Sequence, residues 1–569
     1  MLVITTISGV GCLFTQAAKK TVPTNAQAPW SPPQTPDLVF STYLGGSKAC
    51  FPGGSPLTFA QNAACDTQGN TYVTGATQVS DLPVLNAYQP GPAADSTMSA
   101  FVAKYNPVGQ LLWCTYLGGN QQSMGIGVAV MPDGGVVVMG ITTSVAPVPF
   151  PTSTTAYQTR NNGQSDYFVT VFDANGNLTY STYLGGSGVE GPSANQSTPF
   201  ADDQNSGNCV AVDAAGLVYI AGMTDSGGGS GAIKFPVTPN AYQGEIGGGL
   251  YDACLCIIDP SQSGAASLVY ASFLGGGGDD QGHSVAVDPT GSLITVAGYT
   301  TSTNFPTTPN ALSQTPASGF TSNGFVTQFQ STQPGSPTST YYTLYSTYLG
   351  GSYRDDTYGI ALDPKGLIVA TGRTRDQDFP MTASGPTIFN STLSLTNDEP
   401  YVVKINPYLY GTASLVYSTF LGGEGGFCTS VGVDARGAVY VAGESTAPGA
   451  PWLPGNLTSP TTFPYTQNAL IKALPAGSEH VIFMAIDPGG GNLGYSTYLG
   501  GSGGDRAYGL AVDPNGNIVL SGLTSSQDFP TKNPAQGTWP GGNQNAFVTK
   551  FSVNTAPWTG SLMLLLLAD

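Results

Sequence analysis

The sequence predicts an all-β fold, a single seven-bladed β-propeller with four-stranded antiparallel blades, and three observations carry that expectation. The phrase Ser-Thr-Tyr-Leu-Gly-Gly at Ser41 recurs in variants that begin at Cys114, Ser181, Ala271, Ser346, Ser418 and Ser496. Its leucines, Leu44, Leu117, Leu184, Leu274, Leu349, Leu421 and Leu499, stand 73, 67, 90, 75, 72 and 78 residues apart, which is the signature of an array of similar units. Each interval holds four short, β-branched apolar runs separated by turn residues, the pattern of a meander. The repeats also begin with a fourth strand, Asp37 to Leu44, and end with a third, Ala546 to Phe551. The N-terminal strand is therefore expected to complete the seventh blade and close the ring, leaving no long open edge.

The last unit illustrates the elements in order. Tyr508 to Asp513 (YGLAVD) reads as a first strand, Asn517 to Gly522 (NIVLSG) as a second and Ala546 to Phe551 (AFVTKF) as a third. The fourth is the run into the repeated phrase, as in Leu415 to Leu421 (LVYSTFL), whose Gly-Gly swings the chain into the next blade. Between first and second strands lies Pro514-Asn515-Gly516, and similar turns follow Asp66, Asp213, Asp288, Asp363 and Asp434. An Asp carboxylate accepts a backbone N–H two residues on and Gly supplies a positive φ, so these aspartates read as structural.

Together the YSTYLGG-like phrases, AVDPxG turns, VTG strands, DFPT segments and FVTKF strands resemble the bacterial seven-bladed β-propeller repeat family over Asp37 to Phe551. The resemblance implies a propeller of secreted or surface proteins and carries over no catalytic residue; a fold alone does not specify function. Three regions follow: an apolar segment with a Pro-rich linker (1–36), the propeller (37–551) and an apolar tail (552–569).

Composition agrees with an extracellular scaffold. Charged residues make up 9 % of the chain, against roughly 25 % in an ordinary domain. The net charge of −18 excludes nucleic acid and anionic membrane surfaces as expected partners, because both require basic patches. The eight cysteines show no zinc spacing. Cys254 and Cys256 share one strand face. Cys50, Cys65, Cys114, Cys209 and Cys428 read either as small buried side chains or as disulfide partners. Sequons stand at Asn177, Asn195, Asn390 and Asn456.

Strand order puts the second-to-third loops and the blade-to-blade connections on one face and the tight turns on the other. The long loops, such as Glu444 to Glu479, Ile141 to Asp166 and Met223 to Asp252, make their face the expected binding surface. Its connections carry Asp279, Asp280, Asp355, Asp356 and Asp505, with Glu190, Asp202, Asp203 and Glu424 nearby. A ring of these carboxylates would suit calcium, which takes several oxygen ligands. The plainer reading is that each caps a turn or pairs locally with Arg354 or Arg506; no EF-hand loop is present. No other cofactor is expected.

Enzyme motifs are weak. Gly282-His283-Ser284-Val285-Ala286 ends in Ala and opens a strand, where a nucleophile elbow needs Gly and a following helix. His480 is the only other histidine, and no pair of carboxylates stands out for glycoside hydrolysis. Most aromatics recur at fixed strand positions, as Tyr43, Tyr116, Tyr183, Phe273, Tyr348, Phe420 and Tyr498 do, which is what blade packing requires. Trp452, Phe463, Tyr465 and Trp539 do not recur in this way and are the expected partner-binding side chains.

Met1 to Leu13 (MLVITTISGVGCL) and Leu562 to Leu567 lie outside the repeats, and neither is long enough to span a bilayer. The first reads as a secretion signal with Cys12 as a lipid anchor, or as an assembly tail through Leu2, Val3 and Ile4, matched by Leu564, Leu565 and Leu566 at the other end. The expected function is a non-enzymatic, secreted or cell-surface structural and interaction protein. It is expected to associate with itself or with another surface protein, and head-to-tail association would make a filament. A carbohydrate-binding module using the long-loop face is the alternative, with a glycan-active enzyme third.

Overall fold

The computed structural model describes residues 37–191, 207–227, 232–336, 338–382, 397–423, 425–451, 462–473 and 479–552. These form seven four-stranded antiparallel sheets. The first strands are Thr58–Cys65, Ser123–Val130, Val210–Val212, Asp280–Val287, Asp355–Leu362, Phe427–Val433 and Asp505–Val512. Each neighbours the next around a closed cycle, so they line the centre. Blade 7 takes its outer strand from the N-terminal side: Asp37–Leu44 pairs with Asn545–Ser552, from Asp37 opposite Ser552 to Leu44 opposite Ala546. Closure is thus made by the expected strand.

The tight turns are built as the aspartates dictate. Asp513 Oδ1 accepts N–H bonds from Asn515 and Asn517 at 2.8 Å, and Asp66, Asp213, Asp363 and Asp434 do the same two and four residues on. In two blades the second carboxylate oxygen pairs with a buried third-strand lysine, Lys550 with Asp513 and Lys404 with Asp363, both at 2.9 Å.

The second-to-third loops depart from expectation. They run back along the outside of their own blade and dock on the fourth strand as straps, using the Ser, Thr, Tyr and first Gly of the repeated phrase. In blade 4, Ser346 Oγ donates to the Pro306 carbonyl (2.6 Å), Thr347 Oγ1 accepts the Ser313 N–H (2.9 Å), and the Tyr348 hydroxyl accepts the Phe305 N–H (2.9 Å) while donating to the Ser302 carbonyl (2.7 Å). The same Tyr latch recurs at Tyr43, Tyr116 and Tyr183. Where the phrase carries Phe273 or Phe420, the strap N–H bonds directly to backbone instead, Phe235 to Ser226 and Phe379 to Asp376. A strap glutamine then reaches the first glycine: Gln536, Gln89, Gln158 and Gln243 each accept the N–H of Gly45, Gly118, Gly185 and Gly275 in turn. The edge strand of each such blade is covered rather than left to recruit another chain.

Gly-Gly leaves room for polar side chains that pack against the turn. A Cβ on Gly45 would sit 1.8 Å from Asn545 Oδ1, and one on Gly351 2.3 Å from Asp378 Oδ1. Asp378 and Asp528, the acids of the DFP segments, in turn accept the N–H of Ser352 and Ser502. The seven described cysteines are free, and five are buried; Cys254 and Cys256 join one core cluster, so the small-apolar reading holds for them.

Tyr348→Phe removes a hydroxyl that satisfies two buried backbone groups and should cost about 1–3 kcal/mol in denaturant unfolding. Phe420→Tyr, where the bond is already direct, should bring no comparable gain.

Candidate functional site

The centre of the ring is shaped by a bulge in six of the seven first strands. Pairing skips Gln61, Ile126, His283, Tyr358, Thr429 and Tyr508, each the extra residue of its strand. Such a bulge re-aims its side chain. It also turns a carbonyl onto the glycine of the VTG motif opposite: a Cβ on Gly298 would lie 1.7 Å from Gln281 O, and one on Gly372 1.9 Å from Asp356 O. Blade 3 differs. Glu190 bridges Thr224 where Asp280 faces Thr300 in blade 4, and pairing resumes at Val210.

Bulge residues and their neighbours meet at the centre. The His283 ring stacks on Tyr358 (5.3 Å), Tyr358 meets Phe427 (5.8 Å) and Phe59 meets Tyr508 (6.4 Å). Asp356 Oδ2 is the hub of the charges, receiving Arg373 Nε (2.7 Å), Arg354 Nε (3.1 Å) and the Tyr358 hydroxyl (3.2 Å). Arg373 also reaches Asp398 (3.3 Å) and lies over the Tyr358 and Phe427 rings. Burial alone would raise the Asp356 carboxyl, but the two guanidiniums outweigh it and hold the group below its usual range. His283 donates from Nδ1 to the Thr357 carbonyl (3.0 Å), and burial, foremost among its influences, lowers its basicity. In the next blades Arg506 bonds Glu479 (2.6 Å) and Glu444 (3.2 Å). This arrangement holds charge in place; an ionised Asp356 tied to three donors is a poor proton carrier.

Behind the Gly-Gly turns the structure buries carboxyls in pairs. Asp166 Oδ1 and Glu190 Oε2 each lie 2.6 Å from where a Gly185 Cβ would be, and Asp252 and Asp280 meet similarly behind Gly275. Asp355 meets Asp376. Burial pushes Asp252 up to about 7 and Asp280 up to about 6, and raises Asp166, Glu190 and Asp355. Adjacent carboxyls of this kind hold a proton between them rather than ionise together.

Residues 494–530 match the family model described as SBBP, beta-propeller repeat. The chain carries an SBBP beta-propeller repeat. The matched span runs from the phrase at Ser496 through the Asp513 turn to Phe529-Pro530, so the SBBP repeat contains the docking phrase, the turn and the start of a strap. No curated protein matches the chain in sequence. Among solved structures it is similar to puromycin hydrolase, at 10 % identity and a TM-score of 0.37, covering 86 % of this chain and 55 % of that one. It spans about half of that protein's length. It is also similar to Sqt1 from Chaetomium thermophilum (12 %, TM-score 0.34, 89 % and 99 % covered). A third is PQQ-bound aldose sugar dehydrogenase from Streptomyces coelicolor (10 %, TM-score 0.30, 92 % and 100 % covered). Likeness at this level carries no argument about activity or ligand.

The five aspartates expected at a cation site do not converge. Asp280, Asp355 and Asp505 occupy the same repeat position in three blades, each capping its own Gly-Gly turn through Gly276, Gly351 and Gly501. Asp279 accepts the Leu250 N–H, and Asp356 belongs to the arginine network. Among the described residues no three acidic, His or Cys side chains are grouped to hold a metal. Sequence repetition had put them on one face, but rotation around the ring keeps them apart. Local pairing with arginine holds for Arg354, whereas Arg506 chooses glutamates rather than Asp505.

Of the expected partner-binding aromatics, Phe463 is corrected by its burial. Phe463 is fully buried against Tyr498 (4.7 Å), being the strap phenylalanine of blade 6, and Trp539 packs edge-on to Tyr43 (5.7 Å). Tyr465 is half-buried on the same strap. The signal missed was the Phe-Pro dipeptide, shared by Phe150, Phe235, Phe305, Phe379, Phe463 and Phe529. Trp452, Glu424, Asp202, Asp203, Cys12, Leu2, Val3, Ile4, Leu564, Leu565 and Leu566 lie outside the described residues.

Two outcomes follow. Arg373→Met, which leaves the buried Asp356 with Arg354 as its remaining guanidinium beside the Tyr358 hydroxyl, should cost about 3 kcal/mol, and adding Asp356→Leu should recover most of it in the same urea titration. Carboxyls raised from an unfolded value near ~4 bind more protons in the folded state, so their stabilisation is complete below about pH 4 and is lost as pH rises through about 6 and 7. The melting temperature should therefore fall from pH 5 to pH 8, and Asp252→Asn should flatten that slope; a rise over this range would refute the shared-proton account.

Proposed function

We propose that the protein is a non-enzymatic, extracellular or cell-surface propeller that serves as a structural and interaction protein and associates with further copies of itself. One observation carries this reading: an exposed aromatic patch on the tight-turn face. Tyr342, Tyr408, Leu409, Tyr410 and Val416 are between 40 and 69 % exposed. They are drawn together where blade 4 meets blade 5, because Asn310 Nδ2 bridges the Leu344 carbonyl (3.3 Å) and the Pro407 carbonyl (2.9 Å), and the Tyr345 hydroxyl meets Ser414 (3.1 Å). Contiguous exposed apolar side chains of this kind mark interaction sites.

The occupant we assign is the terminal segment of a second copy. Asp37 and Ser552, the ends of the closing strand pair, lie at the same tight-turn end of blade 7 as Asp513 to Asn517. The sequences beyond them, Met1 to Leu13 and Leu562 to Leu567, carry no charge and match an uncharged aromatic surface. Donation from one copy to the next uses two different surfaces and so propagates instead of closing. Sparse surface charge and the engagement of His283 and Asp356 in fixed bonds also favour a scaffold over a catalyst.

Sedimentation velocity on the full chain should show concentration-dependent assemblies. Removing Met1 to Lys20, or changing Tyr408 and Tyr410 to Ser, should reduce them to monomer with unchanged melting. An identical size distribution in all three would contradict the proposal.

A further inference from the structure

A cavity of about 390 Å³ opens on the long-loop face between blades 2 and 3, lined by Tyr157, Gln158, Arg160, Asn162, Ile233 and Lys234, with Gly185 at its floor. Its cation content is unusual for this chain. There are six arginines in the sequence, and five, Arg354, Arg373, Arg375, Arg436 and Arg506, are in ion pairs with Asp or Glu. Arg160 is the sixth, exposed on the cavity wall and without an acidic partner among the described residues. Lys234 is already matched by Glu245 at 2.7 Å. One uncompensated positive charge therefore faces the cavity, on a protein whose net charge is −18.

The rest of the lining is rigid and suited to a ring. Gln158 is held at three points: Nε2 donates to the Arg160 carbonyl (2.8 Å) and to Asp166 (2.5 Å), and Oε1 accepts the Gly185 N–H (3.1 Å). Asn162 donates its backbone N–H to Asp166 (2.9 Å), so the acid beneath the floor is capped by both residues. The half-buried Tyr157 packs on the core, and with Ile233 and Pro236 it gives apolar walls. Fixed polar groups beside a few apolar walls in a preformed cleft are a general form of small-ligand site.

We infer that this cavity binds a single carboxylated sugar unit, a uronate, with its carboxylate on Arg160 and its ring against Tyr157. The guanidinium matches a carboxylate bidentately. A single charge is specified because only one cation is uncompensated; a polyanion would meet the repulsion of the whole molecule over more than a Debye length, about 8–10 Å. The site is on the opposite face from the aromatic patch and stands whether or not the chain self-associates.

The test is saturation-transfer NMR on the full chain with D-glucuronate as probe and glucose and acetate as controls. Glucuronate should show transfer, glucose and acetate far less. Arg160→Met should weaken glucuronate binding roughly tenfold or more, and Arg160→Lys by less, both with unchanged melting, since the side chain is exposed. Absence of transfer from glucuronate, equal transfer from glucose, equal transfer from acetate, or undiminished binding by Arg160→Met would each overturn the inference.

Discussion

The structure depends on the docking of a strap onto the outer strand of each blade. A four-stranded sheet in a ring leaves its fourth strand facing outward with unpaired N–H and C=O groups, an invitation to other chains. Here the chain answers with its own second-to-third loop. Ser346, Thr347 and Tyr348 bind that loop through side-chain hydroxyls, so the phrase that repeats along the sequence repeats because it is a docking surface. The glycines that follow are required by what sits behind them, an acid or amide that caps the turn into the next blade. One local motif thus joins edge protection to blade-to-blade connection, which is why it recurs with so little change.

Variation among blades follows the same logic. Loss of the hydroxyl at Phe273 and Phe420 is offset by a direct backbone bond, so the strap stays docked. At the centre no equivalent constraint applies, and the bulge residues diverge: Gln61, Ile126 and Thr429 on some strands, His283, Tyr358 and Tyr508 on others. That side of the ring gathers Asp356, Arg373, Arg354 and Asp398 into one network. Charges are rare in this chain, and most of those placed near the centre neutralise one another.

Blade number, ring closure and the aspartate turns were legible because each leaves a mark at a fixed sequence interval. Asp513 bonds Asn515 and Asn517, neighbours on the chain, so its role is local. The central network was not legible, since it joins Asp356 to Arg373 across a strand pair whose register is shifted by the Tyr358 bulge. Phe463 was misassigned because its FPY context hides its equivalence to the FPT straps. The aspartates of the blade connections shared a face in sequence terms, but repetition distributes residues around a ring as readily as it collects them. The Arg160 cavity had no motif; it emerges only from two loops of neighbouring blades and from knowing which arginines are already paired.

Hydrogen exchange of the native chain tests the central claim most directly. If straps are integral to the blades, the amides of Phe305, Ser313 and Tyr348 should exchange only with global unfolding, as slowly as those of the inner strand Asp355–Leu362. Exchange of the strap amides at the rate of exposed turns such as Ser261 to Ser263, while the inner strands stay protected, would show that the straps merely rest on the blades and would contradict the account.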